Sequence, residues 1–149
     1  MSQSTTVFAA CDVSIWLDDI NGTPRDISGS SNSVTLNFDH EIGEYTSFGG
    51  RWPNRLECGK DAAFDIVILY SLTANEGADI IIDWFFTNIP GPRTASFYFP
   101  DKDVGSDLFR AEVLIEHWDV TGGSGSGDPV EINVHLVPTG EVTHTTAST

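Results

Sequence analysis

Leu108-Phe109-Arg110-Ala111-Glu112-Val113-Leu114-Ile115-Glu116-His117-Trp118-Asp119-Val120 sets Phe109, Ala111, Val113 and Ile115 on one face against Arg110, Glu112, Leu114 and Glu116 on the other. That period of two over so many residues is the mark of a long, half-buried strand. Beyond the tip Gly122-Gly123-Ser124-Gly125-Ser126-Gly127, Val130 to Val137 repeats the pattern with Val130, Ile132, Val134 and Leu136, so the two runs form a hairpin. The glycine-serine stretch is too short to divide domains and reads as a flexible hairpin tip.

Working outward, the same alternation recurs. Ala62–Tyr70 sets Phe64, Ile66, Ile68 and Tyr70 on one face; Asp12–Leu17 sets Val13, Ile15 and Leu17; Ser33–Phe38 sets Val34, Leu36 and Phe38; Thr94–Phe99 sets Ala95, Phe97 and Phe99. The turn residues Asn21-Gly22-Thr23-Pro24 place the first two strands in one meander. Thr73-Ala74-Asn75-Glu76 has capping-box spacing and opens a helix to about Thr87, with Ala78, Ile81, Ile82 and Phe85 on its core stripe and Pro90 and Pro92 ending it. The expectation is a mainly β protein: a β-sandwich or rolled barrel with one flanking α-helix.

The chain has 149 residues, enough for one domain that buries roughly 68–70% of its unfolded surface. Nine Phe and four Trp argue against disorder, and no apolar run approaches the ~20 residues of a membrane-spanning helix. The first residues have neither a basic leader nor a sustained apolar stretch, so maturation in the cytoplasm where the chain is made is expected. Cys11 and Cys58 then read as buried, reduced thiols. Against 22 Asp and Glu stand 7 Lys and Arg, a formal charge of −15. A single-sign surface of that size keeps a protein soluble and repels nucleic acid.

The chemistry that the sequence excludes is as informative. His40, His117, His135 and His144 have no ligand spacing, although a strand pair would bring His117 and His135 together; no metal or cofactor is expected. No serine sits in a nucleophile elbow, and the glycine-rich stretch lacks the Lys and helix of a phosphate loop. One enzymatic alternative remains. Glu112 and Glu116 share a strand face at roughly 13 Å, beyond the ~9.5 Å limit of an inverting glycosidase pair, and Glu131 on the next strand could approach either beside an exposed Trp118. That alternative is a carbohydrate-binding module or a glycoside hydrolase; the competing reading is a polar sheet face lining a water-filled space.

Residues 39–59 lose the alternation. Gly43, Gly49, Gly50 and Pro53 punctuate a stretch that carries Tyr45, Phe48 and Trp52, which need burial. A loop so long is either functional or an extended hairpin reaching beyond the core, and its aromatics are covered by a partner subunit or by the domain itself.

In this order of elements the chain resembles the major tail proteins, the tail tube subunits of long-tailed, non-contractile bacteriophages. The resemblance rests on Asp26-Ile27-Ser28, Asn32-Ser33-Val34-Thr35-Leu36 and Glu44-Tyr45-Thr46-Ser47-Phe48-Gly49, then on the Ala62–Tyr70 strand, the helix from Thr73 and the terminal hairpin. It implies a single tail tube domain over 1–149, rings of six stacked into a hollow tube, and strands that join an oligomeric inner barrel. It implies arms at 1–11 and 139–149 and the long loop at 39–59, all binding neighbours through such residues as Tyr45, Phe48 and Trp52. Further implied partners are tape measure and tail-end proteins, with DNA passing through unbound, no membrane, assembly in the host cytoplasm and a place in the virion tail. Asp39, Glu112, Glu116 and Glu131 are then the candidates to line an acidic lumen.

Overall fold

The computed structural model describes residues 13–46, 48–87, 91–99, 105–122 and 129–147. Along the chain run β1 (Ser14–Asp18), β2 (Pro24–Asp26), β3 (Ser31–Tyr45), β4 (Asn54–Leu69), α1 (Gly77–Phe86), β5 (Arg93–Phe99), β6 (Asp107–Thr121), β7 (Glu131–Pro138) and β8 (Thr143–Thr146). All described strands form one antiparallel sheet in the order β2-β1-β5-β6-β7-β4-β3, with β8 also on β6. The N-terminal arm, Cys11 and the tip at 123–127 lie outside the described residues.

The sheet rolls over a main core. Phe64 of β4 and Phe97 of β5 are both fully buried with ring centroids 5.0 Å apart, although two strands separate them in the sheet. Ile15, Leu17, Ile66, Val113, Ile132 and Leu136 fill the same core. Each was legible as the apolar phase of an alternating run. The expected meander of the first two strands is not what forms: β1 pairs with β2 and β5, while β3 sits on the far edge. Asn21 to Pro24 does make a turn, but one that returns the chain into β2. There the Asp19 carboxylate accepts the backbone N–H groups of Asn21 and Thr23 and pairs with Arg25 at 2.9 Å, which closes the turn locally.

The helix begins later than the capping-box spacing implies. Asn75 takes a left-handed conformation (φ 62°), tolerable for Asn, and its N–H donates to the Asp79 carboxylate at 2.9 Å, so the Thr73 hydroxyl does not cap and the helix starts at Gly77. The buried stripe is Ala78, Ile80, Ile81 and Trp84; the expected Ile82 is half-buried and Phe85 is 56% exposed. Trp84 takes the inward place because its indole N–H finds the Gly91 carbonyl at 3.0 Å and its ring lies 5.0 Å under the Arg93 guanidinium.

Two stretches without apolar alternation are paired. Residues 39–59 are mostly the outer half of the β3–β4 hairpin, in register from Asp39↔Asp61 to Glu44↔Arg55 and Tyr45↔Asn54. Both faces of that arm are open to solvent, so no apolar period announces it. The step from Glu41↔Gly59 to Ile42↔Glu57 leaves Cys58 as a bulge; its thiol is free and exposed, not buried as expected. The stretch after Pro138 runs along its own chain through residue 147. β8 pairs with Asp107–Arg110, and the Ala147 N–H donates to the Ser106 carbonyl at 2.7 Å.

Candidate assembly surface

The sheet's face away from the main core carries a polar band, beside a second, smaller apolar cluster of Tyr98, Leu108 and Ala147 with Trp16. Asn37 of β3 donates to Asp65 of β4 at 2.9 Å, Asp65 meets His135 of β7 at 2.6 Å, and His135 lies 3.7 Å from Glu116 of β6. Beside this row, Asn133 donates to Asp119 at 2.9 Å and His117 lies 3.5 Å from the same carboxylate. The Asn133 bond, first among the causes, holds the Asp119 carboxyl below its usual range. A bulge in β6 between Ile115 and His117 makes the band possible: it lets Glu116 and His117 both reach the His135 side and returns Trp118, opposite Val134, to the core phase.

The four lumen candidates share this face without meeting. Glu112 hydrogen-bonds the Thr94 hydroxyl, with Asp18 near the same threonine. Burial raises the Asp18 carboxyl above its usual range, and the neighbouring Glu112 and Asp19 charges add to the rise. Glu116 faces His135, and Glu131 lies against Asn32 at 3.4 Å. Asp39 stands directly opposite Asp61, a like-charged cross-strand pair at the root of the arm. Glu131 is in register with Thr121, five residues past Glu116, or about 17 Å along the strand. It approaches neither Glu112 nor Glu116, so the register builds no carboxylate pair for glycoside cleavage. Trp118, expected to be exposed beside them, is half-buried against Phe85 at 5.6 Å and Phe86 at 6.1 Å.

At the arm tip the three expected aromatics are open to solvent: Tyr45 is 51% exposed, Trp52 83%, and Phe48 as exposed as in an extended chain. Sequence reasoning missed Leu56 and Ile42, which are also exposed on the arm. At its root, Phe38, Phe109 and Val142 line an open groove of about 740 Å³ between the arm and the β7–β8 turn. All four histidines face carboxylates: His40 faces Glu57 at 3.7 Å, His144 meets Asp107 at 3.0 Å, and His117 and His135 are cross-strand neighbours. Among the described residues no group of three or more His, Cys, Asp or Glu has metal-binding geometry, and no helix is long and apolar enough to cross a membrane.

The same fold occurs in solved structures that include chains of tail and tube assemblies. One is from the tail of an empty gene transfer agent particle refined with C6 symmetry (TM-score 0.72, 14% identity, 93% of this chain and 99% of that one). Another is the SPP1 tail tube (0.69, 14%, 96% and 81%). A third is the sheath-tube complex of an extracellular contractile injection system (0.69, 11%, 98% and 100%). No family model matches the sequence, and no curated protein matches it.

Proposed function

We propose that this chain is the structural, non-catalytic subunit of a virion tail tube, in which rings of six copies stack into a hollow conduit for DNA. The observation that carries this reading is the β3–β4 arm. It is a paired hairpin whose aromatics no described residue covers, on a fold shared with a chain of a sheath-tube complex over nearly the full length of both chains. Six-fold order is supported by the symmetry of the gene transfer agent tail. The non-contractile tail rests on the sequence resemblance, as do assembly in the host cytoplasm and the tape measure and tail-end partners.

In this reading Asp39, Glu112, Glu116 and Glu131 line the lumen. A ring would carry 6 × −15 = −90 formal charges. Carboxylates facing inward repel phosphates over about 8 Å at physiological ionic strength, so passing DNA does not adhere. Replacing Glu112, Glu116 and Glu131 with Lys leaves the subunit folded and makes assembled tubes retain DNA, less so as salt rises. Carboxylates found on the outer wall of the assembled tube would sink the lumen assignment.

Electron microscopy of the purified protein tests the larger claim. Wild type is expected to give tubes, and deletion of Glu44–Pro53 to give folded subunits without them. Tubes from the deletion protein under the same conditions would refute the role of the arm.

A further inference from the structure

The apolar phase of β1 begins upstream of the strand. Val7, Ala9, Cys11, Val13, Ile15 and Leu17 alternate without a break; Ile15 and Leu17 are buried in the main core and Val13 packs against it. Val13 shares a cleft of about 370 Å³ with Ser31, Ser33 and Val34 at the start of β3 and with Phe99 of β5. The link from β2 to β3 is already laced to β1, the Ile15 N–H donating to the Ser28 hydroxyl at 2.7 Å and the Ile15 carbonyl accepting the Ile27 N–H at 2.9 Å. Five successive antiparallel pairings lead from β1 to β3, so the two run in opposite senses. A strand continued backward from Ser14 therefore runs forward along β3. Among the described residues no strand pairs with the outer edge of β3, and on its core side Val34 and Leu36 are half-buried while Phe38 is 53% exposed.

We infer that the free edge of β3 is the seat of this chain's own residues 5–12, which extend β1 backward as an added strand and close the rolled sheet. Cys11, Ala9 and Val7 then keep the phase of Val13 and cover Val34, Leu36 and Phe38. Eight residues reach about 26 Å as a strand, the length of β3 from Val34 to Glu41. Residues 5–11 carry no charge, so the acidic surface does not oppose their approach. An open edge with half-covered apolar residues invites pairing, and a segment tethered to Val13 meets it at a far higher effective concentration than the same segment of another copy. The inference stands apart from the tube reading.

Two measurements test it. In Cys58→Ser protein Cys11 is the single thiol, and in the folded subunit it should react with a thiol reagent on the order of a hundredfold more slowly than in the urea-unfolded chain, at every protein concentration. Ala9→Asn and Ala10→Asn make the same uncharged change on opposite faces of the added strand. Ala9→Asn should lower the folding equilibrium constant about tenfold in urea melts, and Ala10→Asn by less than about twofold. A Cys11 that reacts at the unfolded rate, or equal losses from the two alanine variants, overturns the added strand. Protection of Cys11 that appears only as concentration rises would assign the seat to another copy's segment and overturn the inference as well. None of these outcomes decides whether copies form tubes, which the microscopy tests.

Discussion

The two halves of the β3–β4 hairpin share strands and ladder yet live in different surroundings. In the inner half Phe64, Ile66 and Ile68 are buried and every second residue touches the core; in the outer half, from Asn54 to Asp61, every residue is exposed. Backbone pairing alone therefore propagates well past the point where burial stops. Isolated two-stranded ribbons are marginal in water, so the outer half draws its order from the inner one and from whatever covers it on assembly.

The largest effect that separates the halves is a core truncation. Phe64→Ala should cost about 3–5 kcal/mol of subunit stability in urea melts, because it removes a fully buried ring that packs on Phe97. A loss near 1 kcal/mol would mean that the inner half is looser than its burial indicates.

Acid should act next, through the body and not through the arm. Hydrogen bonds from Thr23 and Arg25 lower the Asp19 carboxyl from its usual value, and the side chain is only 7% exposed. Its contribution is thus present above a pH of about 3.9 and is lost as pH falls through the lower folded value. Urea midpoints followed from pH 6 to pH 2 should show that loss in wild type and a smaller one in Asp19→Asn. Arg55→Ala, which breaks an exposed pair at 3.9 Å on the arm, should leave the profile unchanged.

At the junction of the halves, Asp39→Asn removes the like-charge opposition to Asp61 and should raise stability by about 0.2–1 kcal/mol, less in high salt. The smallest effect belongs to the tip. Trp52→Ala should change the urea midpoint of the unassembled subunit by less than about 0.5 kcal/mol, since the side chain is 83% exposed. A larger loss would mean that the tip is packed within its own chain.

The same contrast explains what the sequence could and could not tell. Strands with one buried face were plain, because Phe64-Ile66-Ile68 or Ile132-Val134-Leu136 must repeat every second residue to reach the core. The arm was not, because a ribbon wet on both sides imposes no period on Ile42, Leu56 or Cys58. Partner choice was equally hidden: Asn21 to Pro24 announces a turn, but nothing local says that β1 will join β5. Of the surface, missing periodicity singled out Tyr45, Phe48 and Trp52 but left open whether the domain itself or a partner covers them. The row from Asn37 through Asp65 and His135 to Glu116 depends on a register across four strands and a bulge, which no single stretch encodes.

The strand order also sets a timetable. β3 with β4, β5 with β6 and β6 with β7 are neighbours in sequence and can form hairpins as soon as they are made, but the seams β1·β5 and β4·β7 join distant stretches, Phe64 finding Leu136 only near the end of the chain. Such long-range closures are slow. Until β7 emerges, the nascent β3–β4 ribbon holds its future core face open along with its aromatic tip. The segment best suited to joining copies is therefore also the first that can join them too early, and synthesis must outpace that encounter for each subunit to close on itself.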